Sequence, residues 1–155
     1  MIGKAALIVS LLLNFADGCG KVNGGGYVCD IRVNVHPHHV PGKGRGTIEA
    51  AVKAWCDQPP TEHRLYVRLE IERDDGKRWE EVAQSDPYPD ARIPTPNGII
   101  VKVTAQCVDG IFRVYARAEG RGPDPDGPGK DKRFNFPLPE NERYARSIKC
   151  PDIKT

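Results

Sequence analysis

Apolar and polar residues alternate along most of the chain after residue 26. The segment "LYVRLEIER" shows this most clearly, because Leu65, Val67 and Leu69 are each followed by a polar or amphipathic residue. A period of two is typical of a β-strand that buries one face. Four other segments share this period: 27–35, 47–56, 99–107 and 111–120. The pattern therefore predicts strands over most of the chain.

Turn signals separate the predicted strands. In "DDGK", Gly76 is free to adopt a positive φ, so "RWEEVAQS" is expected to return as an antiparallel partner. The odd spacing of Trp79 and Val82 predicts a β-bulge in that returning strand. "DG", ending at Gly110, predicts a second hairpin, and a last strand is expected in "RYARSIKC".

One segment, 48–55 ("IEAAVKAW"), has a composition that also suits a helix. Its inward-facing residues keep a period of two up to Cys56, which favours a strand. About seven short strands with turns between them predict an all-β fold, an antiparallel immunoglobulin-like β-sandwich. The sandwich is expected to span residues 27–150, with a tail at 151–155.

The first 18 residues have the three parts of a secretory signal peptide. Lys4 supplies a positive start, "AALIVSLLLNF" an apolar run of eleven residues, and "ADG" a patch of small residues. As a helix that run rises only about 16 Å, roughly half of a bilayer core, which disfavours a permanent membrane span. A buried N-terminal helix or an uncleaved anchor is the alternative. Residues 19–26 are rich in glycine and are predicted to form a flexible tether.

Cys19 stands alone at the start of this tether. With Gly18 before it and Ala16 three positions upstream, it resembles the lipidated cysteine of a lipobox. Lipidation would make Cys19 the mature N-terminus and anchor the chain by two acyl chains, which hold more firmly than one. The same residues also suit ordinary signal-peptide cleavage, which would leave Cys19 free or paired with another chain.

The other four cysteines all fall on the inward face of a predicted strand. Together with the export signal, they predict two disulfides. The pairing Cys56–Cys107 with Cys29–Cys150 is expected, because Cys56 and Cys107 stand about where an immunoglobulin-type sandwich has its inter-sheet bridge. Four reduced core cysteines in a cytosolic protein are the alternative. The protein is accordingly expected to be exported, either to the outer face of the cytoplasmic membrane or to the extracellular space.

Composition narrows the classes of function. The chain has 155 residues, a length typical of a single domain, with 39% hydrophobic residues, 16 Gly and 14 Pro. Its 23 Lys and Arg residues and 21 Asp and Glu residues give a formal net charge of +2, and the two signs are interspersed. Without a basic face or an aromatic-plus-basic motif, nucleic acid is not expected as a partner.

Two runs carry a family resemblance: "AWCDQPPTEHRLYVRLEIERDDGKRWEEVAQS" and "IIVKVTAQCVDGIFRVYARAEG". They contain a Cys followed by prolines before a strand, then a Trp-bearing strand, then the pattern C-x-x-G-x-aromatic-R-V-x-A. Over residues 27–150 the chain resembles the small exported immunoglobulin-like β-sandwich proteins, some with a lipoprotein signal, of actinobacteria and their phages. The resemblance implies an exported sandwich, and it carries over no catalytic residue.

Three of the four histidines form the cluster "HPHH". His36, His38 and His39 are candidate ligands of Zn²⁺ or Cu²⁺, since neutral imidazole is a usual nitrogen ligand of both ions. His63 would add a ligand if the two segments meet. A solvated strand end rich in histidine is the simpler interpretation, so no resident cofactor is expected.

We expect no enzyme, because the chain lacks the G-x-S-x-G and H-E-x-x-H motifs. Loops at the ends of a sandwich often bind partners, and Tyr and Arg are favoured at interfaces. Arg45, Tyr88 and Arg92 are therefore the expected partner-binding residues.

These features favour a non-catalytic exported or membrane-tethered sandwich that binds an unidentified protein or cell-envelope partner. In a phage gene this would fit a superinfection-exclusion lipoprotein. One alternative is a virion structural or decoration protein with the N-terminus as an assembly arm. The other is an envelope metal-binding protein that uses the histidine cluster.

Overall fold

The computed structural model describes residues 29–124, 127 and 129–152. The predicted signal peptide, the tether with Cys19 and the last three residues lie outside the described residues. Within them the chain forms eight strands: β1 (Cys29–Val40), β2 (Thr47–Cys56), β3 (Glu62–Arg73), β4 (Arg78–Gln84), β5 (Ile99–Gln106), β6 (Gly110–Pro123), β7 (Asp131–Pro137) and β8 (Arg146–Ile148). A single 3₁₀ turn, Glu140–Glu142, precedes β8. In this described part, no helix is long and apolar enough to cross a membrane.

The strands form two antiparallel sheets. One has the order β1-β2-β5, and the other has the order β4-β3-β6-β7 with β8 also paired to β6. The first, second and fifth strands thus oppose the third, sixth and seventh, as in the immunoglobulin fold. The predicted antiparallel immunoglobulin-like sandwich is confirmed, with eight strands in place of about seven.

The core lies between the two sheets and follows the predicted alternation. Along β3, Leu65, Val67 and Leu69 are fully buried, and β6 contributes Phe112 and Val114 from the same sheet. The opposite sheet supplies the inward residues of β2: Ile48, Ala50, Val52 and Ala54. The segment that also suits a helix is therefore a strand, as predicted.

Strand β1 departs from the simple alternation at Val35. This residue is expected to face inward, but it is 38% exposed. The pairing of β1 with β2 shifts register on both sides of Val35, which marks extra residues in β1. Each shift changes which residues face the core, so Pro37 is buried in its place. The prediction for Val35 is wrong because period-two alternation takes no account of such insertions.

Strand β4 contains the predicted bulge. Glu70 faces Glu81 while Leu69 faces Ala83, so Val82 is the extra residue. By contrast, the sequence pattern predicts no strand at β7. That strand has only two inward aromatic residues, Phe134 and Phe136, between polar neighbours, and pairing with the long strand β6 holds it in place.

Both disulfides are present, but the predicted pairing is wrong. The bridges are Cys29–Cys56 and Cys107–Cys150. Cys29 and Cys56 are direct register partners on β1 and β2, with Cα atoms 4.0 Å apart.

The register of β2 and β5 explains why Cys56 and Cys107 do not pair. Thr47, at the start of β2, faces Gln106, so Cys107 lies at the opposite end of β2 from Cys56. That separation is roughly 30 Å along the strand, well beyond the ~7 Å limit for bridged Cα atoms. Cys107 instead bonds Cys150, and so links the end of β5 to the segment after β8.

Candidate binding surface

The outward face of the five-stranded sheet carries alternating tyrosine and arginine side chains on its two central strands. Tyr66 of β3 faces Arg117 of β6, and Arg68 faces Tyr115. Directly opposed side chains on one face of an antiparallel pair are in contact range. Each cross-strand pair therefore joins one arginine to one tyrosine.

The guanidinium groups stack on these rings. Arg68 lies 4.4 Å from the ring centroid of Tyr115, and Arg117 lies 4.8 Å from that of Tyr66. Arg143, from the segment before β8, approaches Tyr115 at 5.2 Å. Such cation–π contacts restrict the orientation of a planar guanidinium group. The surface is therefore ordered before any ligand arrives.

Tyr88 completes this surface from the loop that follows β4. Its ring meets that of Tyr66 edge to face, with centroids 5.5 Å apart. Backbone hydrogen bonds between Leu65 and Asp90, 2.8 and 3.0 Å long, fasten the loop to β3. Tyr66, Arg68, Tyr88, Tyr115 and Arg117 together line one pocket of about 270 Å³. We call these five residues the tyrosine–arginine surface.

Three glutamates support the surface from its edges. The Tyr66 hydroxyl donates a 2.6 Å hydrogen bond to Glu119, and this bond, followed by burial, raises the pKa of Tyr66. Glu119 also lies 3.6 Å from the Arg117 guanidinium. Glu81 lies 3.8 Å from the Arg68 guanidinium. Both separations are longer than a hydrogen bond, so the arginines keep N–H groups available.

Glu70 is the third of these glutamates, and it is only 3% exposed on the outward face of β3. Arg113 donates a 2.7 Å hydrogen bond to it, and the Arg68 Nε lies 2.8 Å from its other oxygen. Trp79 of β4 covers the Arg113 guanidinium at 4.1 Å. A buried carboxylate needs such partners, since an isolated one would be strongly disfavoured. Glu70 thus fixes the positions of two neighbouring arginines.

Of the three residues predicted to bind a partner, Tyr88 belongs to the tyrosine–arginine surface. The other four members are missed by an analysis that searches only the loops. Their signal lies in the outward-facing positions of two predicted strands, where "YVR" and "RVYAR" place Tyr and Arg in alternate positions. Reading those positions for interface residue types would have found them.

Arg45 lies elsewhere and joins the loop after β1 to the C-terminal segment. Its guanidinium is 2.8 Å from the Asp109 carboxylate and also donates to the carbonyls of Cys150 and Pro151. Asp109 in turn accepts a hydrogen bond from the Cys150 N–H, and this bond, with the charges of Arg45 and Lys149, lowers the pKa of Asp109. A role for Arg45 in partner binding stays a prediction.

Arg92 holds the proline loop together. It makes a bidentate pair with Asp90, which is 3% exposed, and donates to the carbonyl of Ile100 at 2.9 Å. Burial alone would raise the pKa of Asp90, but the hydrogen bonds and charge of Arg92 outweigh it and lower that pKa. Arg92 therefore helps to orient the loop that carries Tyr88, and a direct contact of Arg92 with a partner stays a prediction.

The four histidines take separate roles. His36 packs edge to face on Tyr144, the His38 ring bonds the carbonyl of His36, and the His39 ring bonds the carbonyl of Arg45. His63 lies in the five-stranded sheet, apart from the other three histidines; it is 1% exposed and packs on Phe134 of the same sheet.

Among the residues that the structure describes, no group of three or more His, Cys, Asp or Glu side chains is placed to hold a metal ion. The structure thus does not assemble the predicted His36, His38, His39 and His63 set as a ligand group. A Zn²⁺ or Cu²⁺ site stays a prediction.

Fold and surface together define a class: a disulfide-bonded, all-β, immunoglobulin-like sandwich with an arginine- and tyrosine-rich sheet face. Two disulfides are typical of proteins that fold in an oxidising, extracytoplasmic environment. No family model matches the chain, and comparison with curated proteins finds no match.

Proposed function

We propose that this protein is a non-catalytic binding module that acts outside the cytoplasmic membrane through its tyrosine–arginine surface. The observation that carries the proposal is the pair of stacked cross-strand contacts, Arg68 on Tyr115 and Arg117 on Tyr66. Tyr and Arg are the residue types most enriched among side chains that dominate binding energy. Here they form a pre-ordered patch, which reduces the entropy lost on binding.

Two features support a tethered protein outside the cytoplasmic membrane. The disulfides support an oxidising compartment, and the N-terminal segment has the pattern of a signal peptide followed by a lipobox-like Cys19. We propose that residues 1–18 are removed and that Cys19 carries the lipid anchor, so that the sandwich faces the cell envelope. In a phage-encoded chain, this placement suits a protein that shields its host from a second infection by binding an envelope partner.

Intact mass tests the compartment. The full chain is expressed in an actinobacterial host and the membrane fraction is analysed. We expect a species that lacks residues 1–18 and gains the mass of a diacylglyceryl group. A full-length soluble species would contradict the tether and support a virion protein with an N-terminal assembly arm. Loss of the membrane species on Cys19→Ser substitution would assign the anchor to Cys19.

A titration on intact host cells tests the binding role. Purified protein should bind saturably, and Tyr88→Ala should weaken binding about tenfold or more, the scale of a binding hot spot. Tyr144→Ala is the matched control, because Tyr144 is exposed and packs on His36 outside the tyrosine–arginine surface. Absence of saturable binding, or equal loss with both variants, would contradict the proposal.

A further inference from the structure

The tyrosine–arginine surface places two guanidinium groups in one small pocket. Arg68 of β3 faces Tyr115, and Arg117 of β6 faces Tyr66. The two arginines are therefore diagonal neighbours. Diagonal residues on one face lie about 7–8 Å apart at Cα, within reach of long side chains. Both arginines line the same pocket of about 270 Å³. Two guanidinium groups that line one pocket can donate to the same anion.

Guanidinium groups already lie over two of the three tyrosine rings in this pocket, those of Tyr66 and Tyr115. Arg117 lies over Tyr66, while Arg68 and Arg143 both approach Tyr115. Stacking of a sugar ring or an apolar group on these faces is therefore disfavoured. What the pocket offers to a ligand is guanidinium N–H donors, and each guanidinium carries five of them in a rigid plane.

The nearby carboxylates do not use up these donors. Glu119 is 3.6 Å from Arg117, beyond hydrogen-bond range, and its shorter contact is with the Tyr66 hydroxyl. Glu70 lies 2.8 Å from the Arg68 Nε and also pairs with Arg113. Glu81 lies 3.8 Å from a terminal nitrogen of Arg68, beyond hydrogen-bond range. The terminal nitrogens of Arg68 and Arg117 can therefore still bind an oxyanion.

Pocket size and the arrangement of donors identify the kind of oxyanion. Two arginines can share one carboxylate, as Arg68 and Arg113 share Glu70, but a carboxylate offers only two oxygens in one plane. A tetrahedral phosphomonoester offers three oxygens in different directions, which suits donors from two strands better. A phosphomonoester carries about −1.5 to −2 charges at pH 7, so two guanidinium groups attract it more strongly than they attract a singly charged carboxylate. The pocket is slightly smaller than the roughly 300–1,000 Å³ of sites that enclose whole ligands, so it suits one charged group.

We propose that the tyrosine–arginine surface binds a phosphomonoester group of its ligand between Arg68 and Arg117. This inference rests on the proposed function, because it assigns a chemistry to the same surface. Arg68 and Arg117 donate hydrogen bonds to the phosphate oxygens, and Tyr88 and Tyr115 line the same pocket. The phosphomonoester comes either from a soluble or polymeric ligand or from phosphatidic acid, a phospholipid whose headgroup is a phosphomonoester.

Titration of the purified protein with phenyl phosphate, monitored by NMR through the arginine Nε–H resonances, tests the proposal. We expect phenyl phosphate to bind at least about tenfold more tightly than benzoate, since charge-assisted bonds from a second arginine are gained. Affinity should fall below pH 6, where the phosphate loses its second charge. Equal affinity for benzoate and phenyl phosphate would overturn the proposal.

Substitutions locate the site. Arg117→Gln should weaken phenyl phosphate binding about tenfold or more, and Arg117→Lys should weaken it less because the charge remains. If the glutamine variant does not fold, the lysine variant supplies the comparison. Arg32→Gln is the matched control, because Arg32 stacks on Trp55 at 5.3 Å in the three-stranded sheet. Unchanged affinity in both Arg117 variants would overturn the assignment.

Vesicles distinguish the two sources of phosphate. Binding to phosphatidylcholine vesicles that contain phosphatidic acid, but not to phosphatidylcholine alone, supports the phospholipid source. Binding of phenyl phosphate without vesicle binding supports a soluble or polymeric source. If phenyl phosphate fails to bind while cell binding still depends on Tyr88, the phosphate inference falls and the proposed binding function stands.

Discussion

The buried histidine His63 makes the stability of this fold depend on pH. It is 1% exposed, and burial lowers its pKa from 6.5 to about 4. The backbone of Arg92 and the carboxylate of Asp90 act in the opposite direction, but burial dominates. The unfolded chain therefore takes up a proton near pH 6.5, whereas the folded protein resists it until about pH 4.

The size of the effect follows from this difference. The contribution of His63 to the free energy of unfolding is fully present above pH 6.5. It falls as the pH drops from 6.5 to about 4, because the unfolded state then binds more protons than the folded state. Each pH unit in this window costs up to about 1.4 kcal/mol. Between pH 7 and pH 4.5 the contribution of His63 to the free energy of unfolding should fall by about 2 kcal/mol.

Urea unfolding at pH 7 and pH 4.5 measures the loss in the wild type and in His63→Leu. Subtraction cancels the other titrating groups, so the wild type should lose about 2 kcal/mol more than the variant. His38→Leu, which replaces an exposed histidine, is the matched control and should keep the wild-type pH dependence. If His63→Leu is as sensitive to pH as the wild type, the assignment of the effect to His63 is refuted.

Three further predictions concern the frame of the sandwich. Arg113→Leu should lower the free energy of unfolding by about 2–3 kcal/mol, because the buried Glu70 then keeps only one arginine partner; an unchanged urea midpoint would contradict this. Gly120→Ala should lower the free energy of unfolding by at least about 2 kcal/mol, because a Cβ at this position of β6 would collide with the backbone of β3. A melting temperature equal to that of the wild type would contradict this. Replacing Cys107 and Cys150 by Ser should lower the free energy of unfolding by up to about 4 kcal/mol, because the bridge closes a loop between residues 43 positions apart. Peptide mapping of the wild type without reductant should recover the Cys107–Cys150 bridge, and recovery of another pairing would contradict the strand register.

The sequence predicts which residues face the core better than it predicts strand register and disulfide pairing. Alternation along β2 and β3 is enough to assign the inward residues, because both strands are regular for most of their length. Val35 cannot be assigned in this way, since the bulges in β1 depend on how that strand pairs with β2. The disulfide pairing fails for a related reason: which cysteines meet depends on strand order and register, and local pattern contains neither.

The candidate site was only partly predictable. Residue type selects Tyr88, but it cannot tell an arginine that is available to a partner from one that is engaged within the fold. Arg45 and Arg92 are engaged with Asp109 and Asp90. The alternation of Tyr66 and Arg68 is visible in the sequence, but its meaning appears only when β3 and β6 lie side by side.

We propose that this protein meets its partner at the tyrosine–arginine surface. Chemical footprinting of tyrosines on the protein bound to host cells tests this placement of the interface. Tyr66, Tyr88 and Tyr115 should lose reactivity on binding, while Tyr144, 57% exposed and outside this surface, should react as in the free protein. Protection of Tyr144 with unchanged reactivity at Tyr88 would place the interface elsewhere and contradict a partner site at the tyrosine–arginine surface.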